Sequence, residues 1–201
     1  IMDSMAEELQ MVEQQPLVVP IDQHFNVKGI GLVAIGYVQS GSVSVHDEIT
    51  MLPSGGTGSV KSLQVMDDDV PKAGAGDRVG IALRNAKEES LSGTCLIVLP
   101  ELDDKRKDIH RPLALESHSL SQMSLNVSPF QKRKLTVGDV LHASIDLQFV
   151  VGRVESIDGS VGTVRWETPL LQRIENPPSV LIAQLDSKPR IMGDANLTKQ
   201  E

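Results

Sequence analysis

From Leu17 to Leu99 the chain runs in short stretches rich in Val and Ile, broken by clusters of turn residues. The stretches are LVVPI (17–21), GLVAIGYVQSG (31–41), EITMLP (48–53), SVKSLQVM (59–66), DRVGIALRN (77–85) and TCLIVLP (94–100). Between them stand Ser54-Gly55-Gly56, Asp67-Asp68-Asp69 and Gly74-Ala75-Gly76. About six strands of this length, with no helical period between them, predict a small barrel or sandwich. Residues 101–112 (ELDDKRKDIHRP) are charged at most positions and end in Pro112, which reads as a connector. The strand pattern then resumes at 119–127, 139–157, 160–168, 179–186 and 190–193. The run from Gly138 to Val154 is long for one strand and predicts a strand, a bend and a second strand. The last eight residues, DANLTKQE, are polar and expected to fray.

Ahead of the first strand the period changes. Met2, Met5, Leu9 and Val12 recur at spacings of three or four, which predicts a short helix over 2–14. A lone helix of that length is marginal in water. It either docks on something or ends a linker, and residues 1–16 are read as the linker from an upstream domain. The chain starts at Ile1 rather than Met, which fits that expectation. The organisation is therefore all-β: a barrel over 17–100, a connector over 101–112, and a second barrel over 113–201 with a polar tail.

Composition narrows the function classes. The net charge of −8 argues against broad non-specific nucleic-acid binding, which needs a basic surface. The charge is uneven: residues 1–16 hold four acids and no base, whereas 113–201 hold 10 acids and 9 bases. Local basic patches remain open in the second half. Cys95 is the one cysteine; it sits in an apolar run and predicts a buried, inert thiol in a reducing compartment. No apolar run approaches a membrane span.

One stretch carries more than a strand pattern. From Pro20 the sequence reads PIDQHFNVKGIGLVAIGYVQSGSVSVHDEI, with Gly29 and Gly31 at a sharp turn and Val33, Ile35 and Tyr37 on one strand face. Downstream, AGAGDRVGIALRN repeats the logic of a Gly-rich turn followed by a strand. Pro20, Ile21, Phe25, Val27, Gly29, Gly31, Val33, Gly36, Val38 and Gly41 fall in register with domain two of the EF-Tu superfamily of translational GTPases. So do Ala73, Gly76, Asp77, Val79, Gly80, Leu83 and Arg84, and the resemblance covers about residues 17–100. Residues 113–196 resemble domain three more loosely, most like the archaeal form of the selenocysteine-specific factor SelB or a divergent paralog, with the gamma subunit of initiation factor two also similar, and with Arg190, Ile191, Met192 and Gly193 at the barrel's closing segment.

The resemblance implies a module that binds aminoacyl-tRNA or the ribosome in the cytoplasm. It places the pocket for the aminoacylated 3′ end at Asp22, Gln23, Phe25, Asp77 and Arg78. In SelB-like proteins an anionic side chain is held there; here Gln23 replaces an expected Arg, and the expected His falls at about Ala34. The plainer reading is that Asp22 caps a turn and Arg78 pairs with a surface acid. Two basic runs, Lys105-Arg106-Lys107 and Lys132-Arg133-Lys134, are candidates for RNA phosphate contacts, the second beside Phe130 and with no acid adjacent in sequence. No GxxxxGK[ST] loop occurs, so no cofactor is expected for this chain, and GTP with Mg²⁺ would belong to an upstream G domain or another subunit.

Other chemistries find little support. Asp67-Asp68-Asp69 lacks the further spaced oxygen ligands of a hard-cation site, and the five histidines show no zinc spacing. No catalytic residue is assigned. The rival function class is a degenerate relative that kept its barrels and acts as a protein-interaction scaffold, which the acidic net charge favours.

Overall fold

The structure, a computed structural model, describes residues 11–104 and 109–200. It divides into two compact units, Ile1–Ala114 and Leu115–Glu201. The first unit contains β1 (Val18–Val27), β2 (Gly31–Tyr37), β3 (Ser42–Ser44), β4 (Glu48–Leu52), β5 (Gly56–Val65), β6 (Asp68–Val70), β7 (Lys72–Gly74), β8 (Arg78–Arg84) and β9 (Cys95–Val98). A single 3₁₀ turn, Glu88–Leu91, precedes β9. The sheet order β4-β9-β1-β2-β8-β5 closes on itself through a β4–β5 pairing, giving a six-stranded barrel. Val19, Ile49, Met51, Leu63, Ile81 and Ile97 fill it with almost no exposure.

Two strands of the first barrel cross very closely. Ile21 on β1 stands opposite Gly36 on β2 and Cys95 on β9. The register slips between Ile21 and Gln23, so Asp22 is the extra residue of a β-bulge. Such bulges bend a strand and re-aim a side chain. Cys95 is buried, and burial pushes its thiol up to about 12, as the inert reading expects.

One turn recurs three times. In Ser44–Asp47, Gly74–Asp77 and Thr136–Asp139 the aspartate carboxylate accepts a hydrogen bond from the amide three residues earlier, at 2.8, 2.9 and 2.8 Å. In each, the residue before the aspartate has positive φ: His46 at 76°, Gly76 at 97° and Gly138 at 90°. The same two residues bracket one valine of a neighbouring segment in each copy (Val60, Val38 and Val154), as where Gly76 N–H donates to Val38 O and Val38 N–H to Asp77 O. Glycine occupies that left-handed position twice and histidine once, and only the histidine carries a side-chain penalty there. Replacing His46 with Gly is expected to stabilise the first barrel by about 0.5–1 kcal/mol, the removed strain exceeding the added unfolded-state freedom. Thermal unfolding reads it as a rise of a few degrees; a fall would show that the imidazole is held by favourable contacts.

The segment read as a connector contains a two-stranded ladder, β10 (Leu102–Asp104) with β11 (Ile109–Arg111). Of the helix expected over 2–14, residues 11–13 are helical, Gln14 is in a turn, and 2–10 lie outside the described residues.

The second unit is a closed barrel in the order β12-β15-β14-β13-β16-β17. Its strands are β12 (Leu115–Val127), β13 (Val140–Ile145), β14 (Gln148–Asp158), β15 (Val161–Arg173), β16 (Val180–Ala183) and β17 (Ile191–Lys199). The expected bend is the two-residue turn Asp146-Leu147 between β13 and β14. The tail expected to fray is instead most of β17, paired with both β12 and β16. The reason is a two-residue alternation: Gly193, Ala195 and Leu197 face inward while Asp194, Asn196 and Thr198 supply the polar face. Trp166, the one tryptophan, is buried in this core against Gly152.

Candidate nucleic-acid interface

The outer face of β1, β2 and β8 carries an open cavity of about 460 Å³. Register explains its wall. Phe25 stands opposite Val33, Ile35 opposite Gly80, and Tyr37 opposite Arg78. On β2 the buried residues are Leu32, Ala34 and Gly36, while Val33, Ile35 and Tyr37 point outward. At 34 and 36 only small residues face the narrow interior, and the larger apolar Val33 and Ile35 are left on the surface as the floor of a groove. Phe25, Ile30 and Met66 are exposed at its rim. Ala34 is wholly buried, so the groove positions nearest the expected His are apolar.

The bulge at Asp22 completes one end. Arg78 Nη2 donates to Asp22 Oδ2 at 3.2 Å, and Nη1 donates to the Tyr37 hydroxyl at 3.2 Å. The guanidinium carbon lies 5.3 Å from the Tyr37 ring centroid, a cation–π distance. Both side chains are partly solvated, so the pair contributes little to stability. Its consequence is electrostatic: the one cation in the wall is matched by a carboxylate.

Four of the five residues expected at the pocket are therefore gathered in one place, with distinct roles. Phe25 and Arg78 form wall, and Asp22 holds Arg78. Asp77 also lines the cavity, but its carboxylate is committed to the Gly74 amide as a turn lock. Gln23 stands in the same cross-strand row as Ile35 and Gly80, outside the wall. Tyr37 was not among the expected residues; its alternation with Val33 and Ile35 is the signal that could have found it. The Asp67–Asp69 run splits between a turn and β6, with Asp69 accepting from Gln64 Nε2 at 3.0 Å.

The basic runs fare differently. Lys105, Arg106 and Lys107 lie outside the described residues. In the second run, Arg133 Nη2 donates to Asp139 at 2.8 Å and Nη1 to Asp186 at 3.2 Å. Those hydrogen bonds, Asp186 first, hold the guanidinium charged and raise its pKa. Its charge is thus matched by two acids, one of them 53 residues away, which no adjacent position signalled. Lys132 and Lys134 are exposed and form no ion pair among the described residues.

One polar group inside the second barrel has a familiar composition. His118 Nδ1 is 3.0 Å from Ser121 Oγ, and His118 Nε2 is 3.1 Å from Glu116 Oε1, though out of line for a hydrogen bond. Ser121 is fully buried and its hydroxyl accepts the Trp166 indole N–H at 2.9 Å. The hydroxyl has no path to a substrate, and the group ties β12 to β15.

Residues 31–98 match the family described as Elongation factor Tu domain 2. The chain is 31% identical over 140 residues to an uncharacterized protein of Methanocaldococcus jannaschii, covering 70% of this chain and 41% of that protein. It is 37% identical over 122 residues to the selenocysteine-specific elongation factor of the same organism, covering 61% of this chain and 25% of that factor. Among solved structures, SelB of Methanococcus maripaludis in its apo form superposes with a TM-score of 0.75 over 99% of this chain and 46% of its own, at 22% identity. A bacterial selenocysteine-specific elongation factor gives 0.76 over 98% of this chain and 30% of its own, at 20% identity. At those identities the structures establish the shared fold. The chain thus spans less than half of the relatives it matches. It resembles the non-catalytic domains of a translational GTPase, and no helix among the described residues is long and apolar enough to cross a membrane. Residues 31–98 therefore match the elongation factor Tu domain 2 model, and the two consecutive barrels share the fold of SelB.

Proposed function

We propose that the outer groove of the first barrel receives the aminoacylated 3′ end of a tRNA, and that it takes an uncharged aminoacyl group. The observation that carries the reading is the apolar floor of Val33 and Ile35 beside a guanidinium already matched by Asp22 and stacked on Tyr37. A carboxylate or selenolate entering the groove would meet no unmatched cation among its lining residues, whereas an apolar side chain would cover surface now in water. Arg78 then serves the ligand as a flat, fixed wall with hydrogen-bond donors, not as a counter-ion. Ribosome contact, a cytoplasmic setting, and a G domain upstream or in a partner all go with this reading.

The test is a titration of the chain with aminoacylated and bare tRNA at about 50 and 200 mM salt. The expected result is a preference for aminoacylated tRNA that weakens on Arg78→Ala while the unfolding midpoint changes little. Affinity that falls with salt but ignores aminoacylation would reduce the interaction to phosphate contacts. No binding at micromolar concentration would move the reading to the scaffold alternative.

A further inference from the structure

We propose that the second barrel carries a separate docking groove for an extended peptide that combines aliphatic and acidic side chains. A cavity of about 480 Å³ opens where β12 meets the loop leading to β13 and the hairpin between β14 and β15. Its wall is aliphatic, formed by Leu125, Val127, Leu135 and Ile157 over a floor at Met123 and Gly162. Val127 and Ile157 are exposed, so the apolar surface faces water.

The basic loop that borders this groove is fixed in place, and its residues alternate. Gln131 donates to Pro189 O at 2.9 Å and accepts the Arg133 amide at 2.9 Å. Arg133 holds Asp139 and Asp186, and Asp139 accepts the Thr136 amide. Burial raises the Asp139 carboxyl, but the hydrogen bond from Thr136 and the charge of Arg133 outweigh it, leaving the group below its ordinary value. Those anchors hold positions 131 and 133, and the alternate residues Lys132 and Lys134 are exposed at the groove's edge with no ion pair among the described residues. An occupant is therefore selected for apolar groups in the slot and negative charge at the rim.

Acidic peptide fits that demand better than RNA. Single-stranded nucleic acid gains its affinity by stacking bases on aromatic rings or free guanidinium faces. The groove has no aromatic residue in its wall, and the Arg133 N–H donors that would meet phosphate are taken by two carboxylates. Phe130, on the same loop, is 78% exposed but is not part of the wall.

Gly162 supplies a clean way to close the slot. A Cβ there would lie 3.6 Å from Leu135 Cδ2, 3.6 Å from Met123 Cε and 3.8 Å from Ser156 O, ordinary contacts, so a side chain can start from this position and Gly162→Val is chosen to occupy the slot. The experiment is fluorescence anisotropy of the whole chain with labelled peptides of alternating Glu and Leu, Lys and Leu, and Glu and Ser, and with oligouridylate. Binding of the Glu/Leu peptide alone is expected, weakened about tenfold or more by Gly162→Val and, separately, by Lys132→Glu with Lys134→Glu. Unchanged urea midpoints would show that the variants are folded. Three results would overturn the proposal: no Glu/Leu binding up to about millimolar, binding indifferent to both sets of variants, or oligouridylate binding that Phe130→Ala abolishes.

Discussion

Replacing Gly36 with alanine is expected to cost the first barrel about 3–5 kcal/mol, a large share of the stability of a domain this size. A Cβ at that position would sit 2.2 Å from the Pro20 carbonyl oxygen and 3.0 Å from Ile21 Cδ1. The first neighbour is backbone, so the strand itself must move. Gly36, Ile21 and Cys95 form one row across three strands, which makes the buried thiol a reporter beside the clash. The midpoint of the first barrel should fall by roughly 15 °C or more, with Cys95 becoming reactive toward thiol reagents in the same range. Wild-type-like thiol protection would mean that β1 can yield at Pro20. The glycine also matters for the site, because the close crossing it allows sets up the bulge that turns Asp22 toward Arg78.

In the second barrel the corresponding prediction is Gly152→Ala. Its Cβ would lie 2.5 and 2.6 Å from Trp166 Cε3 and Cζ3, and 2.7 Å from Val164 Cγ1. The indole cannot swing aside freely, since its N–H is held by the buried Ser121 hydroxyl, which also contacts His118. Displacing the ring would strand those polar groups, adding about 1–3 kcal/mol to the overpacking cost. A loss of about 4 kcal/mol or more is expected, read as an early red shift of Trp166 emission. Each barrel closes its own core, so Cys95 protection should survive this variant and Trp166 emission should survive Gly36→Ala. A blue-shifted, native emission at the wild-type midpoint would contradict the packing described for Trp166.

Much of this was legible before any coordinates. Alternating apolar positions between turn clusters located the twelve strands of the two barrel walls, at least in part, because such walls alternate strictly between inside and outside. They did not locate the short β3, β6, β7, β10 and β11. Periodicity alone cannot say which face is inside. On β2 the interior takes Leu32, Ala34 and Gly36, and the bulkier Val33, Ile35 and Tyr37 form the groove. The continuation of the final strand over 194–199 was missed because Asp194, Asn196 and Thr198 make the tail polar on average while Ala195 and Leu197 keep the beat. The motif positions led to the Asp22–Arg78 neighbourhood, yet the bulge that makes Asp22 the partner of Arg78 depends on register. Asp77 looks like a pocket residue in one copy of its turn; only the three copies together reveal a lock on the backbone. Arg133 looked free because Asp186 is remote in sequence.

The central claim is that the outer groove of the first barrel, with its matched Arg78, takes an uncharged aminoacyl end. The most direct measurement is methyl NMR of the Ile and Val side chains during titration with adenosine carrying an amide-linked amino acid at its 3′ position, once with Leu and once with Asp. The account predicts shifts centred on Val33 and Ile35 with the Leu compound and much weaker ones with the Asp compound. Stronger shifts with Asp, or shifts confined to residues outside the groove, would contradict it.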